Sequence, residues 1–157
     1  MTKIHLKNFL KAAYEIILVF LQFLIISLHF FQWQFIPQIQ IIQVSPLSYL
    51  VGFLIIIMAF IILLVAIKDL GRNLSPFPRP INNSNLVTTG IYRFTRHPMY
   101  YSLIFISFGV FITKLSTYYL FLSTSLSLII KFKIALEEQY LKNKFKNYLI
   151  YKNEVKY

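Results

Sequence analysis

Long apolar runs separated by short polar segments dominate the sequence. A helix needs roughly 20 apolar residues to cross the hydrocarbon core of a bilayer. The run from Leu47 to Ile67 carries no charged residue. The stretch from Ala12 to Ile36 is also long enough, although Glu15, Gln22 and His29 interrupt its apolar pattern. These two stretches predict two membrane-spanning helices, over about 12–36 and 47–67.

A third apolar run extends from Met99 to Ile130 and contains one charged residue, Lys114. This run is too long for one crossing of a core that is roughly 30 Å thick. A hairpin accommodates it as two helices, over about 98–113 and 117–136. The pattern therefore predicts an all-α integral membrane protein of one domain, 1–157, with about four transmembrane helices, two of them in a helical hairpin.

The composition agrees with a membrane protein. Of the 157 residues, 57% are hydrophobic and 13% are charged, which leaves too little polar surface for a water-soluble globule. The net charge of +11 would suit nucleic acid, but the basic residues lie between apolar runs and form no continuous basic surface. We therefore expect the lipid bilayer as a partner and no nucleic acid. No feature of the sequence indicates an oligomeric state.

Residue usage also limits the chemistry. The absence of cysteine excludes a disulfide framework, a thiolate nucleophile and a thiolate metal site. The three histidines, His5, His29 and His97, are far apart in the predicted layout. We therefore expect no bound metal.

The distribution of Lys and Arg predicts the orientation in the membrane, because short cytoplasmic loops are rich in these residues. All but one of the 16 lie in the N-terminal segment, the loop between the second and third helices, or the C-terminal segment; the exception is Lys114. We expect both termini and the middle loop to be cytoplasmic. The membrane would be a bacterial inner membrane or, in a eukaryote, an endomembrane.

Candidate chemistry concentrates first in the polar middle loop, whose prolines indicate a set conformation. Its last part, 85–100, brings two arginines, a histidine and two tyrosines to the helix that begins at Pro98. One interpretation is interfacial anchoring, since Arg and Tyr commonly lie at headgroup level. A helix N-terminus also offers unpaired N–H groups and a positive dipole end, which suit a carboxylate or a phosphate.

The second candidate feature is the pair Glu137 and Glu138, which follows the last predicted span in a chain with only five acidic residues. If the helix continues past the pair, its apolar face consists of Ile134, Leu141, Phe145, Tyr148 and Leu149. This face predicts a C-terminal cytoplasmic amphipathic helix, with Glu138 on the face and Glu137 to its side. The pair is either a solvated helix start or an acceptor for hydroxyls or a cation beside Arg96 and His97.

Three motifs occur in a fixed order along the chain: LVTTGIY at 86–92, RHPMY at 96–100, and Glu137-Glu138 followed by Tyr140-Leu141. This combination resembles the isoprenylcysteine carboxyl methyltransferase family and its phospholipid methyltransferase relatives. The resemblance implies an S-adenosylmethionine-dependent methyltransferase whose cofactor-binding region comprises 85–100 and 133–145.

The resemblance also implies individual roles. The implied cofactor contacts are Asn85, Leu86, Val87, Tyr92, His97, Pro98, Tyr100 and the glutamate pair. In that family the first glutamate of the pair is the contact, whereas the helical face favours Glu138, so Glu137 and Glu138 both stay candidates. Lys133 occupies a position where relatives carry a basic substrate-binding residue.

The methyl acceptor is expected to be a lipophilic or amphipathic small molecule or a lipid. A carboxylate needs no general base near neutral pH, whereas an amine has to be presented uncharged. This difference favours carboxyl O-methylation, with Arg96 as a catalytic clamp for the acceptor carboxylate.

Three alternatives stay open: a phospholipid N-methyltransferase, an NADPH-dependent membrane reductase of the sterol reductase type, and a non-catalytic membrane adaptor. The reductases carry a similar Arg-x-Pro-x-Tyr segment, but they usually have Asn where this chain has Met99.

Overall fold

The structure is a computed structural model that describes residues 3–31 and 39–156. Over these residues it is helical and contains no strand, which confirms the all-α prediction. The helices are α1 (Lys3–Leu28), α2 (Pro46–Leu70), α3 (Pro98–Lys114), α4 (Thr117–Lys144) and α5 (Tyr148–Glu154). Two short 3-10 helices, Gly71–Asn73 and Gly90–Arg93, lie in the loop between α2 and α3. The last part of the predicted first span, 32–36, falls outside the described residues.

Three helices, α1, α2 and α4, are long and apolar enough to cross a membrane. Helix α3 has 17 residues and measures roughly 25 Å, slightly less than the core thickness of roughly 30 Å. Large apolar side chains such as Phe20 on α1 and Met58 on α2 are exposed along the outer helix faces. Such extensive apolar surface suits contact with lipid. The chain is therefore an integral membrane protein with three to four spanning helices.

Helices α2 and α3 pack very closely through two glycines. A Cβ atom added at Gly52 would lie 2.7 Å from the carbonyl oxygen of Gly109, and one added at Gly109 would lie 3.0 Å from that of Gly52. Small residues allow this approach of two backbones within a membrane, where packing and not water exclusion holds helices together. The short helix α3 is thereby fixed along α2.

The hairpin between α3 and α4 forms the centre of the bundle. Leu115 adopts a left-handed conformation with φ +47° and ends α3, and α4 starts two residues later. The inner face of α4 and Ile25 of α1 form the main apolar core, which contains Ile25, Tyr118, Tyr119, Leu122, Leu126 and Ile130. The neighbour contacts give the order α2, α3, α4, α1 across the bundle.

Polar residues of the first span lie on its inner side. Glu15, Gln22 and His29 are seven residues apart, a spacing that keeps side chains on one helix face. Glu15 and Gln22 lie on α1 and are buried; His29 lies just past its end, and its Nε2 is 2.7 Å from Ser107 Oγ. We call these three residues the α1 polar face. Each of them meets a polar partner on another part of the chain.

The C-terminal part differs from the expected continuous helix. Helix α4 ends at Lys144, because Phe145 leaves the helical conformation with φ −114° and ψ 115°. The single apolar face predicted to run from α4 through Leu149 is therefore wrong: Leu149 is exposed, whereas Tyr148 is buried. Helix α5 turns Tyr148, Tyr151 and Val155 inward, onto Leu86, Leu141 and Phe145. The amphipathic character expected of the C-terminal helix is not confirmed.

Candidate active site

A cavity lies at one end of the bundle, where α2 ends, α3 begins and α4 ends. Its lining comes from four parts of the chain: the loop after α2, the segment 84–100, the end of α4, and α5. It contains about 810 Å³ of empty space, counted with the part that is open to solvent.

The structure brings most of the predicted site residues to this cavity. Those that line it are Asn85, Leu86, Val87, Tyr92, Arg96, His97, Tyr100 and Glu137. Pro98, Lys133 and Glu138 are not among the lining residues. Pro98 is the first residue of α3 and is buried. The binding roles of all these residues stay predictions.

A glycine and an aspartate fix the turn that carries Tyr92. The N–H of Ile91 donates to Asp69 Oδ2 over 2.8 Å, which ties the turn to the end of α2. Gly90 adopts φ +61°, and a Cβ atom there would lie 2.0 Å from the same carboxylate oxygen. Only glycine fits this position. Burial raises the pKa of the Tyr92 hydroxyl, which keeps it protonated and able to donate a hydrogen bond.

The two glutamates have separate environments. Successive residues of an α-helix point about 100° apart. Glu137 lines the cavity, whereas Glu138 lies in an ion cluster, with its Oε1 2.9 Å from Arg96 Nη2 and 3.4 Å from His97 Nε2, and its Oε2 bonded to Lys152. The prediction that Glu138 belongs to the apolar face is wrong, because the basic side chains of Arg96, His97 and Lys152 surround it. Glu137 is the better candidate for a ligand contact.

Arg96 connects three parts of the structure. Its Nε donates to Glu138 Oε1 over 3.1 Å, and its Nη1 donates to the carbonyl oxygens of Lys152, over 3.2 Å, and of Val155. The guanidinium thus joins the start of α3 to the end of α4 and to the C-terminal segment. These contacts use much of its hydrogen-bonding capacity, and its role as a clamp for an acceptor carboxylate stays a prediction.

Two tyrosines of α5 complete the cavity on the C-terminal side. The Tyr151 hydroxyl donates to the carbonyl oxygen of Tyr92 over 2.6 Å. Tyr148 lines the cavity, and its buried hydroxyl has no hydrogen-bond partner among the described residues. Burial raises the pKa of Tyr151 to about 12, and it raises the pKa of Tyr148 as well. Both hydroxyls therefore stay protonated.

One side of the cavity is formed by the segment 75–80, which we call the proline arm and which was not predicted as part of the site. Ser75, Phe77, Pro78, Arg79 and Pro80 line the cavity. The recurrence of proline at every second position, Pro76, Pro78 and Pro80, indicates a rigid segment, because each proline fixes its backbone φ. The prolines were interpreted as setting the loop conformation, but no site residue was assigned there.

Lys133 lies behind the proline arm. Its ammonium donates to the carbonyl oxygen of Pro76 over 2.9 Å and to the side chain of Gln22. The side chain is almost fully buried. The observed contacts of this predicted substrate-binding residue are thus with the arm and with α1.

The helices and the cavity together define an integral membrane protein with a cavity of mixed polar and apolar lining at one end of its bundle. A family model described as phospholipid methyltransferase matches residues 47–148, more than half of the chain, and the chain belongs to that family. This finding confirms the resemblance predicted from the motifs and implies a membrane methyltransferase. No curated protein and no solved structure gives a significant match. The matched segment includes every lining residue except Tyr151, and it excludes α1.

Proposed function

We propose that the chain transfers a methyl group from S-adenosylmethionine to a lipophilic or amphipathic acceptor in this cavity. The observation that carries the proposal is that the cavity lies within the family segment and is lined by Glu137, His97 and several tyrosines. When bound, S-adenosylmethionine supplies a methyl group that its sulfonium sulfur activates for displacement.

The lining has groups that fit each part of the cofactor. Leu86, Val87 and Leu141 offer apolar surface for the adenine ring. The Glu137 carboxylate can accept hydrogen bonds from hydroxyl or ammonium groups, and the unpaired Tyr148 hydroxyl can donate one. The ring of Tyr100 suits a neighbouring positive charge, since aromatic faces attract cations. These matches support a cofactor region at 85–100 and 133–145.

Methyl transfer requires the chain to align the acceptor and to exclude water, because the carbon is already activated. The charge of the lining bears on the acceptor. Arg79 and Arg96 line the cavity. Each is paired with a carboxylate, Glu15 or Glu138, and each keeps at least one further N–H group that could bind an anionic acceptor. A carboxylate acceptor is ionised near neutral pH and needs no base. We therefore propose carboxyl O-methylation first.

N-methylation of a phospholipid is the second candidate, and the description of the matching family favours it. A lipid phosphate would suit the same two arginines. The amine would have to lose a proton before it attacks, and His97 is the side chain of the lining that suits this task.

We also propose that the cavity faces the cytoplasm, together with both termini. Glu15 in the first half of α1 contacts Arg79 of the middle loop, and α5 contacts the same end of the bundle. The Lys and Arg distribution supports the cytoplasmic side for this end. The cofactor would then enter from the cytoplasm and the acceptor from the bilayer.

Calorimetry with the detergent-purified protein tests the proposal. S-adenosylmethionine should bind in the micromolar range, and Glu137→Ala should abolish the binding. Phe20→Ala, which removes an exposed side chain on α1, is the matched control. Binding of NADPH instead would indicate the reductase, and binding of neither compound would indicate the adaptor.

The acceptor chemistry can then be separated with a radiolabelled methyl group. The labelled product is extracted from membranes and treated with base. A methyl ester releases volatile labelled methanol, whereas an N-methyl group is stable to base. Release of the label would support carboxyl O-methylation, and its retention in a non-volatile N-methylated headgroup fragment would support the second candidate.

A further inference from the structure

The proline arm is attached to α1 at two points. Near its end, Arg79 Nη2 donates to Glu15 Oε1 over 3.1 Å. At its start, the carbonyl oxygen of Pro76 accepts from Lys133 Nζ over 2.9 Å, and the same ammonium donates to Gln22. Glu15 and Gln22 are 5% and 6% exposed, so both acceptors on α1 are buried; Lys133 is buried as well, whereas the Arg79 side chain is 55% exposed.

The two attachment points constrain the arm strongly. Glu15 and Gln22 lie on one face of α1, about 10 Å apart along the helix axis. Contacts at two separated points fix the direction of the arm as well as its position. Between them, Phe77 and Pro78 line the cavity, and Pro78 is almost fully buried.

The arm depends on such outside contacts because of its own composition. Proline has no N–H group, so Pro76, Pro78 and Pro80 cannot donate backbone hydrogen bonds to hold the segment. The contacts from α1 are charge-assisted, which makes each of them stronger than a neutral hydrogen bond. Glu15 also accepts from the hydroxyl of Tyr140, so one carboxylate joins α1, the arm and α4.

We propose that Glu15 and Gln22 are positioning residues for methyl transfer, which hold the proline arm as one side of the cofactor cavity. Glu15 acts through Arg79, and Gln22 acts through Lys133, whose ammonium also holds Pro76. The inference rests on the proposed function and deepens it, because it adds α1, which the family segment 47–148 does not include. Neither residue touches the reacting atoms.

The test compares apolar and conservative substitutions at both positions. Glu15→Leu and Gln22→Leu remove the acceptor atoms and keep a good helix former, whereas Gln22→Glu keeps an acceptor for Lys133. His29→Gln is the matched control, because His29 belongs to the same α1 polar face but contacts Ser107 and not the arm. Binding of S-adenosylmethionine is measured by calorimetry, KM and kcat by methyl transfer, and folding by the thermal midpoint.

We expect Gln22→Leu to raise the Kd and the KM for S-adenosylmethionine by about tenfold, the effect of losing a hydrogen bond to a charged group. Glu15→Leu should raise both by about threefold, because the Arg79 side chain is 55% exposed and its pair with Glu15 is therefore weaker. We expect kcat to change much less than KM. Gln22→Glu should bind within about twofold of the unsubstituted protein, since it keeps the bond to Lys133. If a leucine variant does not fold, Glu15→Asp serves in its place: it keeps the charge, shortens the reach, and should still raise the Kd.

Other outcomes overturn the inference. An unchanged Kd for S-adenosylmethionine in the leucine variants would show that the arm does not need α1. The same conclusion would follow from an unchanged Kd in Glu15→Asp, where that variant replaces a leucine variant that does not fold. An equal loss in His29→Gln would show that α1 contributes only general stability. Both results leave the proposed function intact. Failure of the unsubstituted protein to bind S-adenosylmethionine would overturn the proposed function and this inference together.

Discussion

The ion pair between Arg96 and Glu138 should contribute measurably to the stability of the bundle end. Their side chains are 12% and 16% exposed, so the pair is largely removed from water. Removing one partner of a fully buried pair costs about 3–5 kcal/mol, whereas exposed pairs contribute about 0–1 kcal/mol. Because this pair is slightly exposed, we expect a coupling energy of about 2–3 kcal/mol between the two residues.

A double-mutant cycle measures this coupling. Arg96→Met, Glu138→Gln and the double variant are unfolded in mixed micelles, and helix content is followed by circular dichroism. The pair of Glu15 with Arg79 is the control, because the Arg79 side chain is 55% exposed and its coupling should stay below about 1 kcal/mol. A coupling for Arg96 and Glu138 no larger than that of the control pair would refute the argument from burial.

Three further predictions follow from single contacts. Glu137→Gln should weaken S-adenosylmethionine binding by about tenfold in calorimetry with little change in the thermal midpoint, because the carboxylate lines the cavity; a midpoint that falls in parallel would contradict a binding role. Gly109→Leu should lower the free energy of unfolding by about 2–3 kcal/mol, since the α2 backbone leaves no room for the side chain. Gly71→Ala, with open space around the added Cβ, should lower it by about 1 kcal/mol through its positive φ alone. Equal losses of unfolding free energy in the two variants would contradict the close packing of α2 against α3. Tyr151→Phe should cost about 1 kcal/mol through the lost bond to Tyr92, and an unchanged midpoint would show that bond to be unimportant.

The helices could be predicted because apolar length and charged boundaries are local properties of the sequence. The predicted segments 47–67 and 98–113 correspond closely to α2 and α3. The break at Phe145 could not be predicted in this way, since neither proline nor glycine occurs there. Buried contacts of Tyr148 and Tyr151 with other segments accompany the break and override the helical periodicity.

The site could be predicted in part, for a similar reason. The motifs in 85–100 identified the residues that meet at the cavity, and the helical repeat separated Glu137 from Glu138. Whether Glu137 or Glu138 faces the cavity depends on the basic side chains around Glu138. One of these, Lys152, reaches Glu138 only because the chain folds back after α4.

The polar residues of the first span were interpreted only as interruptions of an apolar pattern. Their spacing of seven was a usable signal for one helix face. Their partners could not be predicted from it, since Glu15 meets Arg79 and Gln22 meets Lys133 through tertiary contacts between distant parts of the chain.

The C-terminal side of the cavity also has a consequence for biosynthesis. Protein chains are made from the N-terminus, so α1 and α2 can enter the bilayer before the ribosome has translated α5. The carbonyl oxygen that Arg96 binds at Val155, and the hydroxyls of Tyr148 and Tyr151, join the structure only afterwards. A chain that lacks α5 would keep the apolar helices but would lose one side of this cavity. The cavity is therefore complete only after α5 has folded back onto the bundle.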